Sequence, residues 1–405
     1  MSIEQWLPQI NAYFDAHQEE IFSLLETLVN MDSFSHDARD VNAVGELARQ
    51  WMADAGFDAK RLPHPEIPAD EQWMHGLGNV FMARTHPREA GPGIIFLGHI
   101  DTVYPAGTAA RTPFRVEGGR AYGPGVADMK AGVVANMFVA RALRELGLID
   151  VPMTVVFSPD EELGGPTAGR VYRTELRGGT AVLCTEPGFI GGGVTVQRKG
   201  SGHFLVEIDG ISAHAGRDYE KGASANLELA HKMLGFDKLL DLPVGTTVNT
   251  GLIEGGTSAN SVSPWARARV HTTFQTLEAG ENVVKGIREV AATTFVPGTK
   301  TRISGGIRLY PLTPTEEGTR LLHLVQRAGE ALGQPIHPQH TKGASEAGLT
   351  STVLGIPSIC SLGAEGANIH AEGEYIETAS LLPRCKLVAL SALLAAREFR
   401  PVSAS

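Results

Sequence analysis

Gly93-Ile94-Ile95-Phe96-Leu97-Gly98-His99-Ile100-Asp101 is the stretch on which the fold turns. Its apolar core does not alternate with polar residues and is of strand length, so it reads as a strand buried on both faces, as in a parallel sheet covered by helices. His99 and Asp101 follow it, two residues apart and so on one side of an extended chain. They lie at the carboxyl end of the strand, where open α/β sheets place their ligands.

Working outward, Asn79–Arg84, Pro152–Ser158 (PMTVVFS), Thr180–Cys184 (TAVLC) and Pro357–Ser361 share this texture of short apolar runs between Gly and Pro. Helical periodicity fills the intervals. It runs through Ile10, Phe14, Ile21, Leu24, Leu25 and Leu28, resumes through Val41, Val44, Leu47 and Trp51, and stops at Ala55-Gly56. Further helices are expected over 129–146, 316–332 and 379–399. Strands alternating with helices predict an α/β fold, a mostly parallel central sheet flanked by helices.

Between about Arg198 and Arg302 the pattern changes. Phe204–Ile208 alternates apolar with polar residues, a helix is expected over 223–234, strands over 247–253 and 266–276, and a second helix over 279–293. That order describes a small α+β module with one solvent-facing sheet surface. The expected division is therefore 1–197 and 304–405 as two parts of one domain, with 198–303 inserted between them. A chain of 405 residues has the length for two domains.

Composition sets limits on function. A net charge of −10 and the lack of any basic run argue against a nucleic-acid surface. Cys184, Cys360 and Cys385 are too few for a disulfide framework and lack metal-type spacing. The first twenty residues carry Glu4, Asp15, Glu19 and Glu20 and do not read as a secretory signal, and no stretch approaches the roughly 18 consecutive apolar residues of a membrane span. The expectation is a soluble cytoplasmic protein with no membrane partner.

Several residues could carry chemistry, and each also has an ordinary reading. His99-Ile100-Asp101 could be a simple turn. Asp128, after Gly123-Pro124-Gly125, could be a helix N-cap. Asp160-Glu161-Glu162 could be a solvated acidic turn, Glu186 a strand terminator, and His370 an isolated surface histidine. Jointly these readings weaken, because His99, Asp128, Glu162, Glu186 and His370 all fall in turns at strand ends that one sheet would gather. Two imidazoles and three carboxylates suit zinc, or two zincs sharing a bridging carboxylate. Glu161 is then spare, placed to act as a base on water activated by the metal.

Gly98-His99-Ile100-Asp101-Thr102-Val103, Gly123–Lys130, Asp160-Glu161-Glu162, Thr185-Glu186-Pro187 and Asn368-Ile369-His370 resemble, in order and spacing, the motifs of the co-catalytic zinc peptidases and aminoacylases. That family includes glutamate carboxypeptidase, acetylornithine deacetylase and succinyl-diaminopimelate desuccinylase, and the glutamate carboxypeptidase branch is nearest in texture. The resemblance implies a zinc exopeptidase-like fold whose insertion is a lid and dimerisation domain. It implies two Zn²⁺ ions, for which Co²⁺ or Mn²⁺ could substitute, bridged by Asp128. His99 and Glu186 would complete one site, Glu162 and His370 the other. Asp101 would orient His99, Glu161 would be general base and acid, and the Asp128–Met129 peptide would be cis. Ser212-Ala213-His214-Ala215-Gly216 resembles the lid motif whose His stabilises the oxyanion in a neighbouring subunit, so a homodimer through the lid is implied. Asn260 and Gly343 match substrate-contacting positions, and Arg308 is a further carboxylate partner by resemblance. Glu346 stands where the family usually has Asp and is given no role.

The implied reaction is hydrolysis of the amide of an N-acyl amino acid or dipeptide, releasing a C-terminal amino acid. The branch's substrate-recognising Arg is replaced by Thr273 and the acid before it by His271, which weakens any expectation of strict selection for Glu. The alternatives are a deacylase of the acetylornithine or desuccinylase kind and a ureido or carbamoyl amidohydrolase.

Overall fold

Register, more than composition, explains the central sheet. The computed structural model describes residues 2–69 and 71–399. Six strands lie in the order 58–61, 81–84, 153–158, 94–99, 181–184, 358–359. The two pairings at the first edge are antiparallel and the remaining three are parallel. Every residue of Ile94–His99 is buried. Ile94 and Phe96 join the apolar cluster on one side of the sheet, Ile95 and Leu97 the cluster on the other. Two-sided burial is the physical reason this strand shows no alternation.

Helices Ala131–Glu145 and Thr378–Glu398 pack together on one face. The closing helix Thr378–Glu398 is long and apolar enough to cross a membrane by length and composition, yet 78% of that span is buried within this fold. The amino-terminal helical stretch is two helices, Ile3–Ala16 and Gln18–Val29, joined at His17. Their apolar stripe continues across the joint because both bury the same side, through Ile10, Phe14, Ile21 and Leu25. The third helix, Ala38–Asp54, ends before Gly56, whose φ of 83° is the left-handed conformation that favours glycine. The helix expected from position 129 begins instead at Ala131, after a wide turn Val126–Lys130 in which Asp128 has non-helical backbone angles and the Asp128–Met129 peptide is cis.

A second, four-stranded sheet is wholly antiparallel, in the order 247–255, 265–274, 200–209, 300–309. Phe204, Val206, Ile208, Ala266, Ala268 and Val270 point to one face, where helices Ala225–Asp237 and Leu277–Ala292 contribute Leu229, Phe236, Val283 and Ile287. Its last strand, Lys300–Leu309, runs across position 303, so the sheet of the inserted module extends past the expected 198–303 bounds. Gly305 and Gly306 interrupt the apolar pattern there. A Cβ on Gly305 would lie 2.1 Å from the His203 carbonyl oxygen, so close strand contact excludes a side chain that could have signalled the strand. Strand His337–Thr341, parallel to Gly193–Arg198, was also unforeseen, because its residues are mostly exposed and polar.

Candidate active site

The parallel register assembles the site. Leu97 pairs with Cys184, so His99 and Glu186, each two residues further on, emerge side by side, with His99 Nε2 4.0 Å from Glu186 Oε1. On the other flank His99 pairs with Ser158, which brings Asp160-Glu161-Glu162 to the same sheet end. Asp128 arrives on the turn before helix Ala131–Glu145 and divides its oxygens. Oδ1 is 3.0 Å from His99 Nε2, and Oδ2 is 3.2 Å from His370 Nε2. His370 Nε2 also lies 2.9 Å from Glu162 Oε1. His370 and Asn368 both have φ near 60°, an uncommon conformation for residues with side chains.

Two groups of donors result, His99–Asp128–Glu186 and Asp128–Glu162–His370, each with its ligand atoms within 4.8 Å of one another and with Asp128 common to both. Asp101 lies beneath them, fully buried. Its Oδ1 is 3.3 Å from His99 Nδ1 and accepts from the Glu161 backbone N–H at 3.2 Å. Its Oδ2 accepts from Ser35 Oγ at 2.7 Å and from the Glu162 N–H at 3.3 Å. One carboxylate therefore ties the His99 ring to the turn that carries both glutamates.

The charges here are unbalanced without a cation. Burial, then the Glu186 charge, pushes the Glu161 carboxyl well above the usual carboxylate range. Burial and the Asp128 charge do the same to Glu186. Asp128 is instead held low, because hydrogen bonds from His370 and His99 outweigh its burial. The same contacts raise both imidazoles. His370 goes to about 10 through Asp128 and Glu162, and His99 is raised despite burial by Asp101 and Asp128. Imidazole protons are thus the only compensation that these side chains provide for one another. Imidazole and carboxylate donors in two compact groups with one shared carboxylate fit a pair of borderline divalent cations, zinc among them.

A cavity of about 660 Å³ opens onto Asp128, Glu162, Glu186 and His370 and onto Glu161, which is buried. Its farther wall includes Gly343, Arg198, His203 and His271. Arg198 Nη1 donates to the Gly343 and Ala344 carbonyls at 3.3 and 3.0 Å, and its Nη2 to Ser361 Oγ at 3.2 Å. The guanidinium thereby pins the 343–344 turn against the cavity. His203 and His271 face each other across their strands with ring centroids 4.7 Å apart. Burial depresses both, His203 to about 4, so these imidazoles are neutral near pH 7.

Not every residue singled out in the sequence reaches the donors. His214 is exposed, bridges to Ser261, and does not line the cavity of its own chain. Asn260 lies beside it, its backbone carbonyl accepting from the Ala215 N–H at 3.0 Å. Arg308 is ion-paired with Glu71 at 2.6 Å and lines a neighbouring cavity. Glu346 is buried, accepts from Ser158 Oγ and Tyr172 Oη at 2.6 and 3.1 Å, and burial pushes its carboxyl up to about 8.

Glu374 escaped the sequence reading. Its carboxylate accepts from the backbone N–H groups of Gly125, Ala127 and Asp128 at 3.0, 2.7 and 2.9 Å, which fixes the turn that presents Asp128. The only sequence signal was its place four residues after His370. Glu374→Gln puts an amide NH₂ against those donors. It is expected to weaken metal binding by about 10–100-fold, as supporting residues of metal ligands commonly do. Calorimetric metal titration checks this, and an unchanged affinity would show the turn to be held by other contacts.

This chain is similar to known proteins over most of its length. The sequence profile of peptidase family M20/M25/M40 matches residues 95–393. Carboxypeptidase G2 of Pseudomonas sp. (strain RS-16) is 27% identical over 384 residues, covering 92% of this chain and 89% of the relative. Succinyl-diaminopimelate desuccinylase of Gluconacetobacter diazotrophicus is 27% identical over 379 residues, covering 89% and 93%. The crystal structure of a dinuclear metal-binding M20 peptidase from Bacillus subtilis superposes with a TM-score of 0.63 at 15% identity, covering 95% of this chain and 99% of that one. With the profile spanning well over half of its residues, the chain belongs to peptidase family M20/M25/M40 and is a hydrolase of amide bonds.

Proposed function

We propose that this protein is a two-zinc carboxypeptidase that releases the C-terminal amino acid of an N-acyl amino acid or dipeptide. The observation that carries the reading is the pair of donor groups sharing Asp128, with Glu161 beside them at the floor of one cavity. His99 and Glu186 would hold one ion and Glu162 and His370 the other, with Asp128 common to both. When bound, the ions polarise the amide carbonyl and lower the pKa of water. Glu161 takes a proton from the attacking water and delivers it to the leaving nitrogen. Its buried position next to other acids favours holding that proton between the two transfers. Asp101 keeps His99 in one orientation throughout.

Arg198 and the 343–344 turn favour an anionic group at the far end of the cavity, which suits a free α-carboxylate on the leaving residue. His214 is assigned to the oxyanion of a second subunit's site. Its exposure in its own chain supports this, as do the exposed Leu227 and Leu234 on helix Ala225–Asp237 and the exposed Leu252 and Ile253 on the edge strand Thr247–Gly255, an apolar surface that a lid-to-lid dimer would cover. At His271 and Thr273 this chain offers the leaving side chain a neutral, hydrogen-bonding wall.

Similarity to a desuccinylase favours one second reading, removal of a small acyl group. A panel of substrates separates the two. Amino-acid release from zinc-reconstituted enzyme is measured with the leaving residue varied (Glu, Asp, Ala, Leu, Phe, Arg) against acetyl, succinyl and bulky aryl acyl groups. Activity concentrated on one leaving residue with bulky acyl groups is expected. Activity on acetyl or succinyl substrates alone would establish the deacylase. Silence across the panel with two metals bound would overturn both and point to ureido or carbamoyl chemistry or to a lost activity.

A further inference from the structure

A second cavity, of about 290 Å³, adjoins the first, and Gly164 lines both. The turn that carries Glu161 and Glu162 therefore has the metal donors on one side and this cavity on the other. Gly164 packs directly against the Arg308 stem, since a Cβ on Gly164 would meet Arg308 Cβ at 2.5 Å. Gly165 on the turn and Gly305-Gly306 on strand Lys300–Leu309 add bare backbone to the lining.

Three guanidinium groups line this small space. Arg170 and Arg173 stand one turn apart on helix Ala168–Glu175, and Arg308 comes from the sheet of the inserted module. Among the described residues lining the cavity Glu71 is the one carboxylate, and it is engaged by Arg308 at 2.6 Å, both side chains being about nine-tenths buried. Arg170 donates to the Pro166 carbonyl at 2.6 Å, and Arg173 to Tyr310 Oη at 2.8 Å while lying over the Tyr310 ring. These partners are neutral. No carboxylate among the described residues lies within ion-pair distance of Arg170 or Arg173. Two like charges at that helical spacing repel each other, and an oxyanion between them would offset the repulsion with charge-assisted, bidentate hydrogen bonds.

We propose that this cavity binds an oxyanion, a terminal carboxylate or phosphate, between Arg170 and Arg173 and beside the Arg308–Glu71 pair. The shared Gly164 makes the distal end of the substrate's acyl group the natural donor of that oxyanion, a step that rests on the amide-hydrolase reading. A free anion of the same chemistry could occupy the same place.

The test uses metal-loaded enzyme and two acyl groups of equal length, hexanoyl and adipoyl, on one leaving residue. The adipoyl substrate is expected to exceed the hexanoyl one by roughly 10–100-fold in kcat/KM, the scale of charge-assisted hydrogen bonds. Arg170→Gln/Arg173→Gln should erase that preference while leaving hexanoyl turnover unchanged. Calorimetry with inorganic phosphate is the second arm. Phosphate binding that the double substitution abolishes, with equal turnover of the two acyl groups, would assign the cavity to a free anion. The proposal is overturned if there is neither adipoyl preference nor phosphate binding, or if whichever is seen survives the double substitution. Failure to hydrolyse either substrate, with the aryl and short acyl substrates also silent, would count against the proposed carboxypeptidase reading, and the phosphate arm would still decide the cavity.

Discussion

Glu161→Gln is expected to lower kcat by about 10³–10⁴-fold while the protein keeps its full metal content, because the proposed mechanism gives Glu161 both proton transfers and it belongs to neither donor group. The substitution is nearly isosteric and keeps the buried packing, so stability should not fall. It is expected to rise, because Glu161 is a buried acid whose charged form is disfavoured by burial and by Glu186. The outcome that matters is the split between the two measurements. Lost turnover with two bound metals places Glu161 in the proton transfers, whereas near-normal turnover removes it from the mechanism.

Asp128→Asn should do more damage by a different route. Asp128 sends one oxygen toward His99 and the other toward His370 and Glu162, so one substitution impairs both donor groups. Asn retains a single good donor oxygen. Metal content is expected to fall below one ion per chain and activity to about one thousandth or less, the scale of losing several kcal/mol of Lewis-acid assistance. His370→Ala is the control, since it touches one group only and should leave one ion bound. Elemental analysis together with turnover measures both. Two ions and normal activity in Asp128→Asn would contradict the shared-carboxylate geometry.

Some of this architecture lay open in the residues themselves. GIIFLG, PMTVVFS and TAVLC announced a sheet buried on both faces, and His99, Glu161, Glu162 and Glu186 sat just beyond those runs. Local pattern sufficed because strand ends are local features and a parallel sheet brings its carboxyl ends together. The strand Lys300–Leu309 was hidden because close approach to His203 demands glycine there, and glycine carries no periodicity. The strand His337–Thr341 was hidden because an exposed edge need not be apolar.

The sequence by itself determined the fold class, the family resemblance and the identities of the donors, since all three are written in short segments whose meaning survives without their neighbours. Tertiary structure alone decided how those donors are grouped and held. That Glu374 clamps the Asp128 turn across some 250 residues of chain, that Ser35 bonds to Asp101, and that Arg308 is drawn to Glu71 beside Arg170 and Arg173 are all long-range facts. Each is a hydrogen bond or ion pair between segments far apart in the chain. Such a contact is made because a buried polar group must find a partner, and which partner it finds is settled only once packing has fixed what lies within reach.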